Sequence, residues 1–595
     1  MGGENTVVHV THEAAGKVGG IGAVLQGFFT CPSYLEAVDR SILISPLFTT
    51  EGPAAGRLGD DGQVLHSALD GLTHPDYSPL LAEIERQYHV GTVYGQRTFT
   101  DCQTGAHSTQ EVLLIDVRHM NPGPLNEFKQ RLYEAFGIQS HQHEHLWEYE
   151  QYVRTAVPAI AALKALRAAD GPATIIAHEF MGMPTALAAI LEHECAFRTV
   201  FHAHEVATIR RIVEDHPGHD TMFYNVMHEA KKSGLYVDEV FGDQNNYFKH
   251  ALVQASRYCD HVYAVGDLVA EELRFLAADF EAGDIDIVYN GIPAYEIGVG
   301  EKYTAREKLR RYCMNLLGYR PDYIFTHVTR LVRSKGLWRD LRVLHEIDRM
   351  LDLEDKTAVY FLLSTEVARR PNCDIRHMEA AYGWPIAHRE GWPDLSGGEA
   401  TFYSAVQQFN AESHRIKAVF INQFGFDPKS CGLRMPEDME FMDIRKGSDV
   451  EFGQSIYEPF GIAQLEPLTF GGICVLTNVC GCTGFLRDVT EGQPVPNVIV
   501  ADYTNLGSDA RTGLGSLLDI DRAFRDRIEI AEASRVAEEI VDRLPRDEAA
   551  LERLIQQGYE LARNMSWDTV VRRYLLNDLA GVRTTSQRSP DYLRA

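Results

Sequence analysis

The 595-residue chain has no apolar run long enough to cross a bilayer, so no helical membrane span is expected. It also lacks a charged n-region followed by a short apolar stretch at its start, so no secretory leader is expected, and the expected location is cytoplasmic. Met1-Gly2-Gly3-Glu4-Asn5-Thr6 fits the loose myristoylation pattern, but an apolar strand begins at Val7 and leaves almost no tether. The ten cysteines form no CxxC pair, and only Cys480 and Cys482 lie close together, which excludes a zinc ribbon or a disulfide framework. Positive charge is scarce: 57 Lys and Arg stand against 84 Asp and Glu, for a formal net charge of −27. No nucleic-acid or anionic-membrane partner is expected, because either needs a broad basic face. Neutral partners such as a polysaccharide suit this balance, and a few local cations could still serve a phosphate-bearing small molecule.

The length exceeds one ordinary core, and the pattern divides accordingly. Val7–Val10 reads as a buried first strand, followed by the glycine-rich Gly16-Lys17-Val18-Gly19-Gly20-Ile21-Gly22 and an apolar helical stretch. Short β-type runs then recur between helical patterns at 41–47, 111–117, 173–177, 199–202, 261–265 and 285–289. A second series covers 324–329, 359–363, 418–421, 473–477 and 498–500. Such alternation means parallel sheets and an α/β fold. We expect an N-terminal block of 1–300, a second block of 301–562, and a closing helix in 563–595 that crosses back to the first, with a disordered tail from Arg583. Residues 366–412 read as an insertion, and 525–564 as a charged amphipathic helix or helix pair.

Three stretches could carry chemistry. In Ser455-Ile456-Tyr457-Glu458-Pro459-Phe460-Gly461-Ile462-Ala463-Gln464-Leu465-Glu466, two glutamates stand eight apart, one in a Pro/Gly turn and one about two turns into the next helix. A carboxylate so placed can accept two hydroxyls, as a ribose requires. Arg330-Leu331-Val332-Arg333-Ser334-Lys335-Gly336 follows a strand and opens a helix; two cations at a helix start answer the charge of a diphosphate leaving group. His202 and His204 lie two apart at a strand end and are expected to face opposite sides. His141-Gln142-His143-Glu144-His145 has metal-ligand residue types, but no metal is expected there. Asp284-Ile285-Asp286 and Asp519-Ile520-Asp521 are short acidic strings that an acidic chain produces by chance.

These motifs, in this order, resemble the glycogen and starch synthases, retaining glycosyltransferases of the GT-B architecture. The wording Tyr457-Glu458-Pro459-Phe460-Gly461 is similar to the eukaryotic-type glycogen synthases. Lys17-Val18-Gly19-Gly20, Asn126-Glu127, His178-Glu179-Phe180, His204-Glu205 through Arg210, Tyr289-Asn290-Gly291, Arg415-Ile416-Lys417, Thr477-Asn478-Val479 and Ser566-Trp567 match further family segments. The resemblance implies two Rossmann-like domains with an active-site cleft between them. It implies His204, Arg330, Lys335 and Glu458 as catalytic groups. It also implies Lys17, Gly19, Gly20, His178, Arg210, Asn290, Tyr457, Gly461 and Glu466 as substrate contacts, and it leaves Arg333 pointing elsewhere. The implied substrates are UDP- or ADP-glucose and an α-1,4-glucan, extended at its non-reducing end without a covalent glycosyl-enzyme. No cofactor and no metal are implied, and a homo-oligomer is compatible.

Two departures stand out. The five-residue step from Arg330 to Lys335 resembles the bacterial ADP-glucose enzymes instead. Arg553, Arg563, Arg572 and Arg573 are too dispersed for the arginine cluster that binds glucose 6-phosphate in eukaryotic synthases. The rival readings are a retaining transferase with a small-molecule or disaccharide acceptor, and a catalytically silent glucan-binding scaffold.

Overall fold

A computed structural model of the chain describes residues 5–16, 19–192, 197–281, 283, 285–367, 369–507 and 511–576. The expected tail from Arg583 lies outside them. Contacts divide the chain into two units. The first takes Met1–Ile209, Ala230–Gly291 and the described residues from Trp567; the second takes Arg210–Glu229 and Ile292–Ser566. Residues 210–229, which the sequence pattern assigns to the first block, thus group with the second unit.

The first unit is built on nine strands: β1 (Thr6–Val10), β2 (Arg40–Pro46), β3 (Gly62–Ser67), β4 (Gly91–Thr100), β5 (His107–Asp116), β6 (Ala173–His178), β7 (Phe197–Ala203), β8 (His261–Ala264) and β9 (Ile285–Ile287). Their order is β3-β4-β5-β2-β1-β6-β7-β8-β9, parallel from β5 to β9. β3 and β4 add an antiparallel edge that the sequence pattern does not announce. Both are rich in polar residues, as edge strands facing water are, so neither reads as a buried run. Trp567 belongs to this unit, and its ring packs edge-on against Phe28 at 5.5 Å.

The second unit has six strands: β10 (Tyr323–Val328), β11 (Ala358–Leu363), β12 (Ile416–Ile421), β13 (Val450–Gly453), β14 (Ile473–Thr477) and β15 (Val498–Ala501). All are parallel, in the order β12-β11-β10-β13-β14-β15. Both faces are covered, and alternation shows in the core. Phe325, Tyr360 and Leu362 face one cluster, with the helix residues Leu341, Leu344 and Ile347. Ile324, Val359 and Phe361 face the other, with Leu309 and Ile375. β13 is the strand the sequence hides, because a charged Glu451 interrupts its four residues. That carboxylate is fully buried, pairs with Arg445 at 3.0 Å, and accepts from Thr326 Oγ1 (2.5 Å) and Val328 N–H (3.0 Å). The 366–412 insertion contains two helices, Asn372–Tyr382 and Gly397–Glu412, and the charged segment near 525–564 is a pair, Arg522–Arg543 and Glu548–Asn564. Among the described residues no helix is long and apolar enough to cross a membrane.

Candidate active site

In an open α/β sheet the ligand crevice lies at the carboxyl ends of the strands where the strand order reverses. In the second unit that point falls between β10 and β13. The loop after β10 carries Arg330 and Lys335; the loop after β13 carries Tyr457, Glu458 and Gly461. Backbone bonds join the two loops, since Ile456 and Tyr457 N–H donate to the Ser334 carbonyl at 2.8 and 3.3 Å.

The Lys335 ammonium sits 2.5 Å from a Glu458 carboxylate oxygen, which also accepts from Gln464 Nε2 at 3.0 Å and Ser455 Oγ at 3.3 Å. The two side chains are 16% and 10% exposed, sheltered yet reachable. Arg330 is exposed nearby in sequence. Arg333 is turned aside, donating to the Glu214 carbonyl at 2.7 Å. Lys335 ends a short 3-10 turn, and the helix Leu337–Glu354 begins two residues later. A helix start carries partial positive charge, so cations there are held against the dipole unless an anion shares the place. Glu458 supplies one such anion.

The turn that carries Glu458 depends on two glycines. Gly461 has φ 94°, and a Cβ there would sit 2.4 Å from Gln464 Oε1, a partner of the same network. At Gly481 a Cβ would lie 1.7 Å from the Pro459 carbonyl oxygen; the bare backbone lets Gly481 N–H reach the Glu458 carbonyl at 2.9 Å. Tyr457 is buried.

The expectation that Glu466 lies two turns along a helix does not hold. The helix is Ile462–Leu465, a single turn, and Glu466 opens a 3-10 segment ending at Phe470. Pro467 explains this, because it has no N–H to donate to the Ala463 carbonyl, which accepts from Arg445 instead. Glu466 is instead placed by the fully buried Arg445, whose Nε donates to it at 2.8 Å. Arg445 was not legible as a site residue, since only the tertiary fold brings it near.

In the first unit the strand order reverses at β1 and β6. A His-Glu pair follows or ends each of three neighbouring strands: His12-Glu13 after β1, His178-Glu179 at β6, His204-Glu205 after β7. Glu13 is buried and its carboxylate takes the Gly19 N–H at 2.7 Å, so that donor is already engaged; Gly20 begins the helix Gly20–Phe29. Lys17 lies outside the described residues. Glu179 is buried at φ 61°, an uncommon backbone for this residue type, and its carboxylate accepts from His204 N–H and from Glu205 N–H (2.6 Å). Glu13 and Glu179 are thus the parts the motifs contained and the residue types alone did not explain. Asn290 is buried, and its Oδ1 has no hydrogen-bond partner among the described residues. Arg210 groups with the second unit and pairs with Glu214 at 3.1 Å.

His204 ends a relay of rings. His178 Nδ1 lies 2.8 Å from His204 Nε2, His178 Nε2 lies 2.9 Å from His9 Nδ1, and His9 Nε2 lies 2.8 Å from the Tyr34 hydroxyl. His178 is fully buried with both nitrogens engaged, so it stands behind His204. His202 does not face away from His204: their ring centres are 4.2 Å apart. The expectation miscounts the strand period, since residues two apart share a face, and the rings lie together accordingly. At 141–145, His143 is buried against Tyr149 at 5.4 Å between ring centres, a packing role.

Burial lowers the proton affinity of all four rings, and it takes His9 and His202 from 6.5 to about 3. Below pH 6.5 the unfolded chain therefore binds protons that the folded chain refuses. Stability is fully present above that pH and falls as pH drops toward 3, by up to about 1.4 kcal/mol per pH unit for each histidine. The melting temperature is expected to be level near pH 7 and to fall steadily below about pH 6.5, less steeply in His202→Phe. A profile that stays level down to about pH 4 contradicts this assignment.

No family model and no curated protein matches this chain. Among solved structures it is similar to the catalytic domain of starch synthase IV from Arabidopsis thaliana bound to ADP and acarbose, at 16% identity and TM-score 0.50, covering 97% of this chain and 99% of that one. A sucrose-phosphate synthase from Thermosynechococcus elongatus gives 13% and 0.48, covering 97% and 98%. A trehalose-6-phosphate protein from E. coli bound with UDP-2-fluoro glucose gives 11% and 0.49, covering 97% and 100%. The likeness is one of fold: two parallel-sheet α/β units of the GT-B architecture.

Proposed function

We propose that this chain is a retaining glycosyltransferase that moves glucose from UDP- or ADP-glucose to the non-reducing end of an α-1,4-glucan. The observation that carries the reading is the Lys335–Glu458 pair at the reversal point of the second sheet, at a helix start and on the same loop as an exposed Arg330. As the C1–O bond to the diphosphate breaks, negative charge develops on the leaving oxygen. Arg330, Lys335 and the N–H groups of the helix start neutralise it. Glu458 orients the donor sugar and supports positive charge at C1; Glu466, held by Arg445, accepts the ribose hydroxyls. The acceptor hydroxyl attacks C1 on the face the diphosphate leaves, and its proton passes to the departing phosphate oxygen. Configuration is retained and no covalent glycosyl-enzyme forms. His204, oriented by His178 and His9, contacts the donor sugar.

The wording from Tyr457 to Gly461 supports a glucan as acceptor. The test is incubation with radiolabelled UDP- and ADP-glucose, offered glycogen in one arm and glucose or glucose 6-phosphate in the other. Label in the polymer with release of nucleoside diphosphate supports the glucan reading. Label in a disaccharide replaces the acceptor and keeps the transfer. No turnover of either donor contradicts the proposal.

A further inference from the structure

The histidine cluster of the first unit holds more nitrogen than its hydrogen bonds use. His202 is 1% exposed, and neither ring nitrogen has a partner among the described residues. A buried polar group left idle in this way asks for a ligand. One nitrogen each from His178, His202 and His204 lies within 4.8 Å of the other two. The ring centres are 5.5 Å apart for His178 and His202, 5.1 Å for His178 and His204, and 4.2 Å for His202 and His204. Three imidazoles set tetrahedrally around zinc, with each nitrogen about 2.0–2.1 Å from the metal, have centres about 5 Å apart. Only the His202–His204 pair has to open.

We propose that His178, His202 and His204 bind one zinc-class divalent cation. The surrounding bonds suit this. If His178 Nε2–H donates to His9 Nδ1, then His9 Nε2–H donates to the Tyr34 hydroxyl, which in turn reaches Ser41 Oγ at 3.2 Å. Donation runs away from the cluster and leaves His178 Nδ1 as a bare lone pair, the outer support that metal-bound histidines receive. His204 is half-buried, which leaves a fourth position for water. An all-imidazole set favours zinc over magnesium, calcium or manganese, which take oxygen ligands. The cation would also draw His204 inward and take it from the donor sugar, so it would inhibit transfer; this last consequence rests on the role proposed for His204.

The test is a titration of the full chain with Co²⁺ followed by its visible ligand-field bands, then displacement by Zn²⁺. One equivalent of tetrahedral Co²⁺ is expected, with a zinc Kd below about 1 µM. His202→Asn should weaken binding by at least about 100-fold, and Tyr34→Phe by about 10-fold, each with a wild-type melting profile at neutral pH. Should His202→Asn fail to fold, the wild-type titration and Tyr34→Phe still decide. Absence of bands in the wild type, or the same bands in His202→Asn, overturns the site. Zinc bound at the trio should also lower transfer from labelled donor, reversibly with EDTA, in the wild type and not in His202→Asn. Zinc that binds there without inhibiting leaves the metal site standing and removes His204 from the donor contacts.

Discussion

Replacing Lys335 by alanine should lower kcat by about 10²-fold or more, a loss of about 2.7 kcal/mol of transition-state stabilisation, while the melting temperature stays near that of the parent. The fold should survive because Glu458 keeps its bonds from Gln464 and Ser455, and both groups are partly reachable by water. Arg330→Ala should behave alike, since it presents an exposed cation on the same loop. Arg333→Ala is the control: its guanidinium is committed to the Glu214 carbonyl, so turnover should change little. The double variant Lys335→Ala/Glu458→Gln should cost less than the sum of the single losses, because the two groups are in contact. Steady-state kinetics with both donors decide the matter, and near-normal turnover in both Lys335→Ala and Arg330→Ala removes this loop from the diphosphate.

Arg339→Leu should destabilise the second unit by about 3–5 kcal/mol, the usual cost of removing one partner from a buried ionic network. Arg339 is fully buried. It donates to Asp220 at 2.7 and 3.0 Å and to Glu529 at 2.9 Å, and its guanidinium lies 3.9 Å from the centre of the Tyr503 ring. Leucine would leave two buried carboxylates without this cation. One of them, Asp220, belongs to the 210–229 segment that joins this unit from earlier in the chain. Arg339→Lys should recover part of the loss, because it keeps the charge and loses the fork. The melting temperature should fall on the order of 5–10 °C in Arg339→Leu. An unchanged transition would mean that the network contributes nothing net.

The core of both sheets is legible because parallel strands buried on both faces leave continuous apolar runs, as at Val7–Val10 and Val359–Leu363. What the sequence hides is what depends on partners far along the chain. Glu451 disguises β13 because its neutralising Arg445 lies on another element. β3 and the later half of β4 are polar and partly exposed, so no apolar run marks them. At the site, the loops that hold Arg330, Lys335 and Glu458 could be placed by strand–loop–helix order. The pairing of Lys335 with Glu458 spans 123 positions and could not. At His202 and His204 the information was present in the spacing, because a period of two puts residues two apart on one face, where the rings lie 4.2 Å apart. Pro467, in plain view beside Glu466, was the available signal that the helix there is short, because it has no N–H to continue the helical bonds.

The acidic strings offer a rival way to hold a diphosphate, through a metal ion bound by an Asp-x-Asp pair. Asp521 is already used, capping the helix Arg522–Arg543 by accepting from Phe524 N–H at 2.8 Å. Asp286 faces His261 at 3.6 Å, and Asp284 lies outside the described residues. The account assigns the neutralising task to Arg330, Lys335 and a helix start, and its most direct test is transfer from labelled donor in excess EDTA after exhaustive dialysis. The account predicts full transfer, with an α-linked product. Transfer that vanishes and returns with Mg²⁺ or Mn²⁺ would contradict it and make Asp284 and Asp286 the first residues to replace.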